Sequence, residues 1–347
     1  MFEYPQVSII IPCYNEQDTI HLLLDALHEQ SYPSARMEVI IADGMSTDGT
    51  RRVIRAWQQA HLDLQVQLVD NQRRIIPAAL NRALEAASGE IFVRLDAHSL
   101  PRPDYVSRCV EALDAGKGDN VGGVWEIQPG GSGWLARSIA VAAAHPLGVG
   151  DARYRYAAQA AEVDTVPFGA FRRDLIQRIG PYDEGLLSNE DYEFNVRIRQ
   201  DGGRVWLDPQ IRAIYFARPS LRALMRQYWR YGYWKLRMLR RYPETLRWRQ
   251  ALPPVFVLGL VSLLVVGFWL PVLHWLLFFT LLLYTGVLLG AGLERAVRRA
   301  DAALFVGVPL AIMCMHFCWG GAFLWSLITL PFNPSTSKIP GNVIKTG

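Results

Sequence analysis

The chain has 347 residues, 51% of them apolar, and a formal net charge of +4. That length holds one large domain or two, and so small a positive balance excludes a nucleic-acid binder driven by bulk charge. The apolar residues cluster: 253–293 and 302–331 contain almost no charge, so a globular part and a membrane part share the chain.

Four short aliphatic runs, at 7–11, 38–42, 64–69 and 91–95, are each followed by helical periodicity. This alternation predicts a parallel sheet with helices on both faces. Polar residues cluster just after the strands: Asn15 and Glu16, Asp43, Arg73 and Arg74, Asp96 and His98. In open α/β sheets that carboxyl edge binds ligands. Met1 to Asn15 lacks a basic flank, and its apolar run is too short for a signal peptide, which predicts a cytoplasmic globular part. Cys13, Cys109, Cys314 and Cys318 show no paired framework and are expected to be free thiols.

The first strand enters Pro12-Cys13-Tyr14-Asn15-Glu16, with a helix predicted from near Gln17. Asn15 suits either a helix cap or a nucleotide-base pocket. The second strand ends at Asp43, and Asp48 follows at a helix start, where the dipole gives it a structural role. Asp43, between a buried strand and the Gly44 turn, is placed to accept hydrogen bonds from a base or ribose. The fourth strand delivers Asp96 and His98, which share a side if the chain stays extended. Such a pair can ligate Mn²⁺ or Mg²⁺, which neutralise a diphosphate leaving group. The competing reading is a turn in which His98 only bonds the backbone.

Beyond Val121, strands are predicted at 121–127, 163–168, 204–207 and 211–216, forming an acceptor half. Pro129, Gly130, Gly131 and Gly133 mark either a mobile flap or a plain connection. Ser188-x-x-Asp191 reads as a capping box opening a helix toward Gln200. A carboxylate ionised in that first turn is also the form that accepts a proton. Arg222, Arg226 and Arg230 recur at helical spacing among Tyr228, Trp229, Tyr233 and Trp234, which predicts an interfacial helix. The stretch 252–293 is long enough for two spans of about 20 residues each. Pro271 and His274 would turn between them, and a loop carrying Arg295, Arg298 and Arg299 would precede a third span at 302–330. The positive-inside rule places the basic segment 218–249 and this loop in the cytoplasm, and the C-terminus outside. Cys314 and Cys318 share a helix face that His316 does not, which favours packing over a metal site.

Taken in order, these motifs resemble the family 2 inverting glycosyltransferases, over about Val7 to Tyr231. The resemblance implies a GT-A nucleotide-sugar-binding (Rossmann-like) α/β domain. It implies that Pro12, Tyr14 and Glu16 form the entry motif and that Asp43 binds the base. Asp96 matches the first aspartate of the metal-binding D-x-D, with His98 replacing the second. Asn189-Glu190-Asp191 matches the E-D motif, so Asp191 would be the catalytic base beside Glu190. Arg73 or Arg74 would lie near the diphosphate, with solvated surface arginines as the competing reading, and Gly169 would lie beside the donor sugar. Gln227, Arg230 and Tyr231 resemble a Q-x-x-R-W signature at the acceptor and diphosphate end, with Tyr231 in place of tryptophan. Asp-Ala-His-Ser at 96–99 resembles bacterial exopolysaccharide glucosyltransferases of the succinoglycan type.

The implied architecture is a cytoplasmic GT-A domain at 1–217, a basic interfacial segment at 218–250, three transmembrane helices at 251–332 and a tail at 333–347, in the bacterial plasma membrane. The implied activity is transfer of a sugar, glucose by the resemblance, from a UDP-sugar to a polyprenyl-diphosphate-linked oligosaccharide, with Mg²⁺ or Mn²⁺ as cofactor. Membrane lipids are expected partners and nucleic acid is not. The rival readings are a processive polysaccharide synthase and a noncatalytic nucleotide-binding scaffold.

Overall fold

Aliphatic runs with no polar face form the centre of the sheet, because helices cover both of its sides. The structure, a computed structural model, describes residues 4–330. Strands β1 (Val7–Cys13) and β2 (Met37–Asp43) are buried along their whole length. They pair in parallel with each other, β2 with β3 (Gln65–Asp70) and β1 with β4 (Ile91–Arg94). Alternate residues of β1 face opposite layers. Ile9 and Ile11 pack with Leu23, Leu27 and Trp57 of α1 (Ile20–His28) and α2 (Thr50–Ala60). Ile10 packs instead with Ala79 and Leu80 of α3 (Ile76–Ala86).

The remaining elements extend the sheet. They are β5 (Ser99–Pro101), α4 (Tyr105–Asp114), β6 (Asn120–Pro129), α5 (Trp134–Ala143), α6 (Pro146–Val149), β7 (Ala161–Glu162), β8 (Ala170–Arg172), α7 (Arg173–Ile179), α8 (Glu190–Gln200) and β9 (Val205–Ala217). Strand order is β3-β2-β1-β4-β8-β6-β9-β5, with β7 on β9. Pairing turns antiparallel at β4–β8.

Three expected elements come out differently. Residues 163–168 form no strand, because Phe168 adopts a left-handed φ of 50° and the carbonyl of Val166 accepts from Asn195. The two short strands expected at 204–207 and 211–216 are one, β9, which runs through Pro209 with Asp208 accepting from the Gln210 amide. The three-residue β5, with a proline at its end, pairs with β9 and carries no pattern that marks a strand.

Contacts divide the chain into two compact units. One runs to Glu126 and includes Arg153–Tyr215; the other holds Ile127–Ala152 and continues from Phe216. Residues 127–152, expected within the globular part, thus group with the C-terminal helices. In this second unit α9 (Leu221–Leu239), α10 (Trp248–Gly267), α11 (Val272–Arg299) and α12 (Leu304–Thr329) join α5 and α6. Helices α10, α11 and α12, of 20, 28 and 26 residues, are long and apolar enough to cross a membrane. Pro271 stands at the turn before α11 as expected, whereas His274, Arg295 and Arg299 lie in the helix itself, and the following turn begins at Ala300. The basic helix α9 differs from a purely interfacial one. Arg222, Met225, Arg226 and Trp229 are exposed, but Gln227, Lys235 and Arg237 are buried, because α9 packs along α12. A Cβ on Gly232 would fall 2.3 Å from the Trp319 carbonyl oxygen, so only glycine permits that approach. In the exposed glycine loop at 130–133, Gly130 alone makes such an approach to backbone: a Cβ there would meet the Ala217 carbonyl oxygen at 2.1 Å.

One buried carboxylate braces the sheet at the edge away from the cleft. Glu38 accepts from Ser8 Oγ (2.5 Å), Ser88 N (2.6 Å), Ser88 Oγ (2.9 Å) and Gly89 N (3.1 Å). Burial pushes its pKa up, but the hydrogen bonds from Ser8, Ser88 and Gly89 prevail and hold it below the ordinary carboxylate value. A depressed folded pKa means stability that is present above the unfolded value and lost as pH falls through the folded one. Glu38→Ala should therefore cost about 1–3 kcal/mol at neutral pH. The gap in melting temperature from wild type should shrink in acid; an equal gap at all pH values would refute this role.

Candidate active site

The carboxyl ends of β1, β2 and β4 open onto one cleft. Its lining includes Pro12, Tyr14, Glu16, Gly44, Asn71, Arg74, Asp96 and His98. Most of the residues expected around a nucleotide sugar are thus brought together. The loop after β1 is fastened to the loop after β2. Asn15, at φ 55°, donates through its amide to Ser46 Oγ (2.8 Å) and accepts from the Thr47 amide (2.8 Å). It is not a helix cap, since α1 starts only at Ile20 after Thr19. Asp48 has its expected structural role, accepting from the Thr50 amide (2.9 Å) and hydroxyl (2.5 Å).

Asp43, at the end of β2, is fully buried, accepting from Ser46 N (3.0 Å) and Ser46 Oγ (2.5 Å), with Arg51 Nη1 at 3.4 Å. These bonds hold the turn after β2. The adjacent arginines also separate. Arg73 pairs with Glu184, whereas Arg74, with a left-handed φ of 55°, lines the cleft.

Asp96 and His98 do not sit on an extended strand. β4 ends at Arg94 and residues 97–98 form a turn, because each carboxylate or imidazole is drawn to a different partner. Asp96 Oδ1 pairs with Arg94 Nη2 at 2.8 Å, and His98 Nδ1 lies 3.1 Å from Glu16 Oε1. Both still line the cleft. Nor does His98 simply bond the backbone, since its Nδ1 contacts a carboxylate. Among the described residues no group of three or more His, Cys, Asp or Glu side chains is gathered for a metal. One or two carboxylates suffice for Mg²⁺ or Mn²⁺ when a nucleotide diphosphate and water complete the shell, and Asp96 at the cleft supplies a carboxylate of that kind.

Asp191 stands in the first turn of α8, yet the expected capping box is absent. The N-cap residue is Asn189, in left-handed conformation, and no side chain caps the helix. Asp191 Oδ2 instead pairs with Arg94 Nη1 at 2.9 Å, and Glu190 Oε1 lies 3.5 Å from Arg94 Nη2. Burial raises the pKa of Asp191, the Arg94 guanidinium opposes this, and Glu190 and Asp96 reinforce it, giving about 7. A carboxylate near neutrality in a half-buried site is suited to accepting a proton.

Sequence reasoning missed the side chains that support this base. Arg94 ends a strand of Ile-Phe-Val, and an arginine in so apolar a run must find partners, a signal that was legible. Asn195, fully buried one turn beyond Asp191, donates to the Asp191 carbonyl (2.8 Å) and accepts from Asn120 Nδ2 (2.7 Å). Gly169 presses on this network, not on open space: a Cβ there would lie 2.1 Å from Asn120 Oδ1. Gln227, Arg230 and Tyr231 stand on α9 in the second unit, where Gln227 Nε2 donates to the Tyr231 hydroxyl at 3.0 Å.

A family model described as Glycosyl transferase family 2 matches residues 8–180. The succinoglycan biosynthesis protein ExoA of Rhizobium meliloti (strain 1021) is 30% identical over 322 residues, covering 92% of this chain and 94% of its own. A dolichyl N-acetyl-alpha-D-glucosaminyl phosphate 3-beta-D-2,3-diacetamido-2,3-dideoxy-beta-D-glucuronosyltransferase of Methanococcus voltae is 26% identical over 328 residues, covering 93% and 97%. Among solved structures, the mannosyltransferase PcManGT from Pyrobaculum calidifontis, in complex with GDP-Man and Mn²⁺, superposes with a TM-score of 0.63 at 23% identity, over 90% of this chain and 88% of that one.

Proposed function

The chain belongs to glycosyl transferase family 2, with its GT-A fold, and from that premise we propose a membrane-anchored inverting enzyme in which Asp191 activates the acceptor hydroxyl. The observation that carries this reading is the Asp191 carboxylate itself. It is held at 2.9 Å by Arg94, with 22% of its side chain exposed and a pKa raised to about 7. In the proposed reaction the acceptor oxygen attacks the anomeric carbon in line, its proton passes to Asp191, and the bond to the nucleoside diphosphate breaks with inversion.

The donor we propose is a UDP-sugar, UDP-glucose first. Arg74, exposed at the cleft mouth, would meet its diphosphate. Asp96, with His98 beside it in the cleft lining, would hold Mg²⁺ or Mn²⁺. When bound, that ion would offset charge developing on the leaving diphosphate. The acceptor we propose is a polyprenyl-diphosphate-linked oligosaccharide in exopolysaccharide synthesis. The three apolar helices and the printed names of the two relatives, one for succinoglycan biosynthesis and one for a dolichyl-linked sugar, support it. Arg247 and Arg249 at the start of α10, and Arg298 and Arg299 at the end of α11, mark one side of an antiparallel hairpin as basic. By the positive-inside rule that side is cytoplasmic.

The test is transfer by the purified full chain in lipid nanodiscs, from individual nucleotide sugars to lipid-linked saccharides extracted from a deletion strain. One UDP-sugar should yield product of inverted anomeric configuration, and chelation by EDTA should stop the reaction until Mg²⁺ or Mn²⁺ is restored. Retained configuration would sink the single displacement, and no turnover of any nucleotide sugar would sink the reading as a whole.

A further inference from the structure

One guanidinium serves three carboxylates. Arg94 places Nη1 at 2.9 Å from Asp191 Oδ2 and Nη2 at 2.8 Å from Asp96 Oδ1, with Glu190 Oε1 at 3.5 Å. Its side chain is 4% exposed. Burying an ion this deeply costs several kcal/mol unless it is well paired, so the arrangement is not incidental. The planar fork is what lets a single cation reach carboxylates on two chain segments at a fixed separation, which the point charge of lysine cannot do. The Phe168 ring lies 5.2 Å from the guanidinium carbon, and Phe168 is itself fixed by the Tyr105 hydroxyl donating to its carbonyl at 2.6 Å. Asp191 is thus gripped twice, its carbonyl by Asn195 and its carboxylate by Arg94.

Resting on the reading of Asp191 as the base, we propose that Arg94 is a positioning residue. It orients the Asp191 carboxylate toward the acceptor and ties it to Asp96 at the donor side of the cleft, so that one side chain sets the register between the two halves of the reaction. Arg94 contacts neither sugar nor acceptor in this scheme. Its contribution passes through Asp191, and a base displaced by about 1 Å loses on the order of 100-fold in rate.

The test is a double-mutant cycle in the full chain. Arg94→Lys keeps a cation but not the fork. It should lower kcat by about 100-fold and leave the donor KM within about threefold, because the defect lies in alignment and not in ground-state binding. In the Asp191→Asn background the same substitution should change the residual rate by less than about twofold, since the group it positions is gone. An unchanged kcat, or a rise in donor KM with kcat intact, would overturn the inference. So would an undiminished effect in the Asp191→Asn background, which is what a merely structural role gives. If Arg94→Lys fails to fold, Arg94→Gln combined with Glu190→Gln removes a positive and a negative charge together, and the same criteria apply. A wild-type chain without transfer, or an Asp191→Asn chain at full rate, would overturn the functional reading and this inference together. Asp191-dependent transfer that ignores Arg94 overturns this inference alone.

Discussion

Asp191→Asn lowers kcat by about 10²- to 10⁴-fold, the range expected for removing a general base, while leaving donor binding and folding intact. The selectivity follows from what Asp191 touches. It does not cap α8, because Asn189 is the N-cap residue and no side chain caps that end, so Asn at 191 removes no cap. It shares Arg94 with Asp96 and Glu190, and neutralising one of three carboxylates around one guanidinium relieves repulsion. The pH dependence carries its own sign. A base works ionised, so log kcat for wild type should climb with pH and level off above about 7, and the asparagine variant should show no such limb. Stability runs the other way. The folded pKa is raised above the unfolded one, so the folded chain holds a proton that the unfolded chain has released, and stability declines as pH rises through that window. Asp191→Asn should therefore melt no lower than wild type at neutral pH. A variant that lost activity by unfolding, or kept full transfer while folded, would remove Asp191 from the chemistry.

Gly169→Ala is the second large effect, expected to cost about 1–3 kcal/mol of stability together with more than tenfold in kcat. The added methyl would sit 2.1 Å from Asn120 Oδ1, and Asn120 cannot swing aside without releasing Asn195. Asn195 in turn carries the carbonyl of Asp191 and fastens Thr165 and Val166. The Gly169 carbonyl also accepts from the Arg94 amide at 2.9 Å, so the same backbone supports both members of the central ion pair. Adding Asn120→Ala opens the space without restoring the hydrogen bond, so melting temperature should recover more than turnover does. Wild-type kcat and melting in the single variant would show that the network does not bear on the base.

What was legible in the sequence was whatever depends on local pattern. The parallel strands announced themselves through short aliphatic runs, which β1, β2 and β4 bury along their whole length, and the three long apolar helices through length alone. Of the residues lining the cleft, Glu16, Arg74, Asp96 and His98 were legible because polar residues just after strands carry ligands in such sheets, and Pro12 and Tyr14 through the family resemblance. What escaped depends on partners distant in the chain. Nothing near Arg94 in sequence says that Asp191 will meet it, and Ser188-x-x-Asp191 satisfies a capping rule that tertiary pairing overrides. A glycine such as Gly169 shows in sequence that something approaches closely without showing what, and the Asn120 side chain that does so lies far along the chain. Residues 127–152 looked like part of the sheet domain since β6 leads into them, and only packing reveals their alliance with α12.

That alliance bears on how the protein is made. Helix α12 packs against α5, α6, α9, α10 and α11, with the Gly232 approach to Trp319 among the tightest points. α5 leaves the ribosome long before α12 does, and so does α9. Throughout that interval the apolar faces of α5, α6 and α9 lack the cover that α12 gives them. A nascent chain arrested before α12 would then expose an unfinished helical surface.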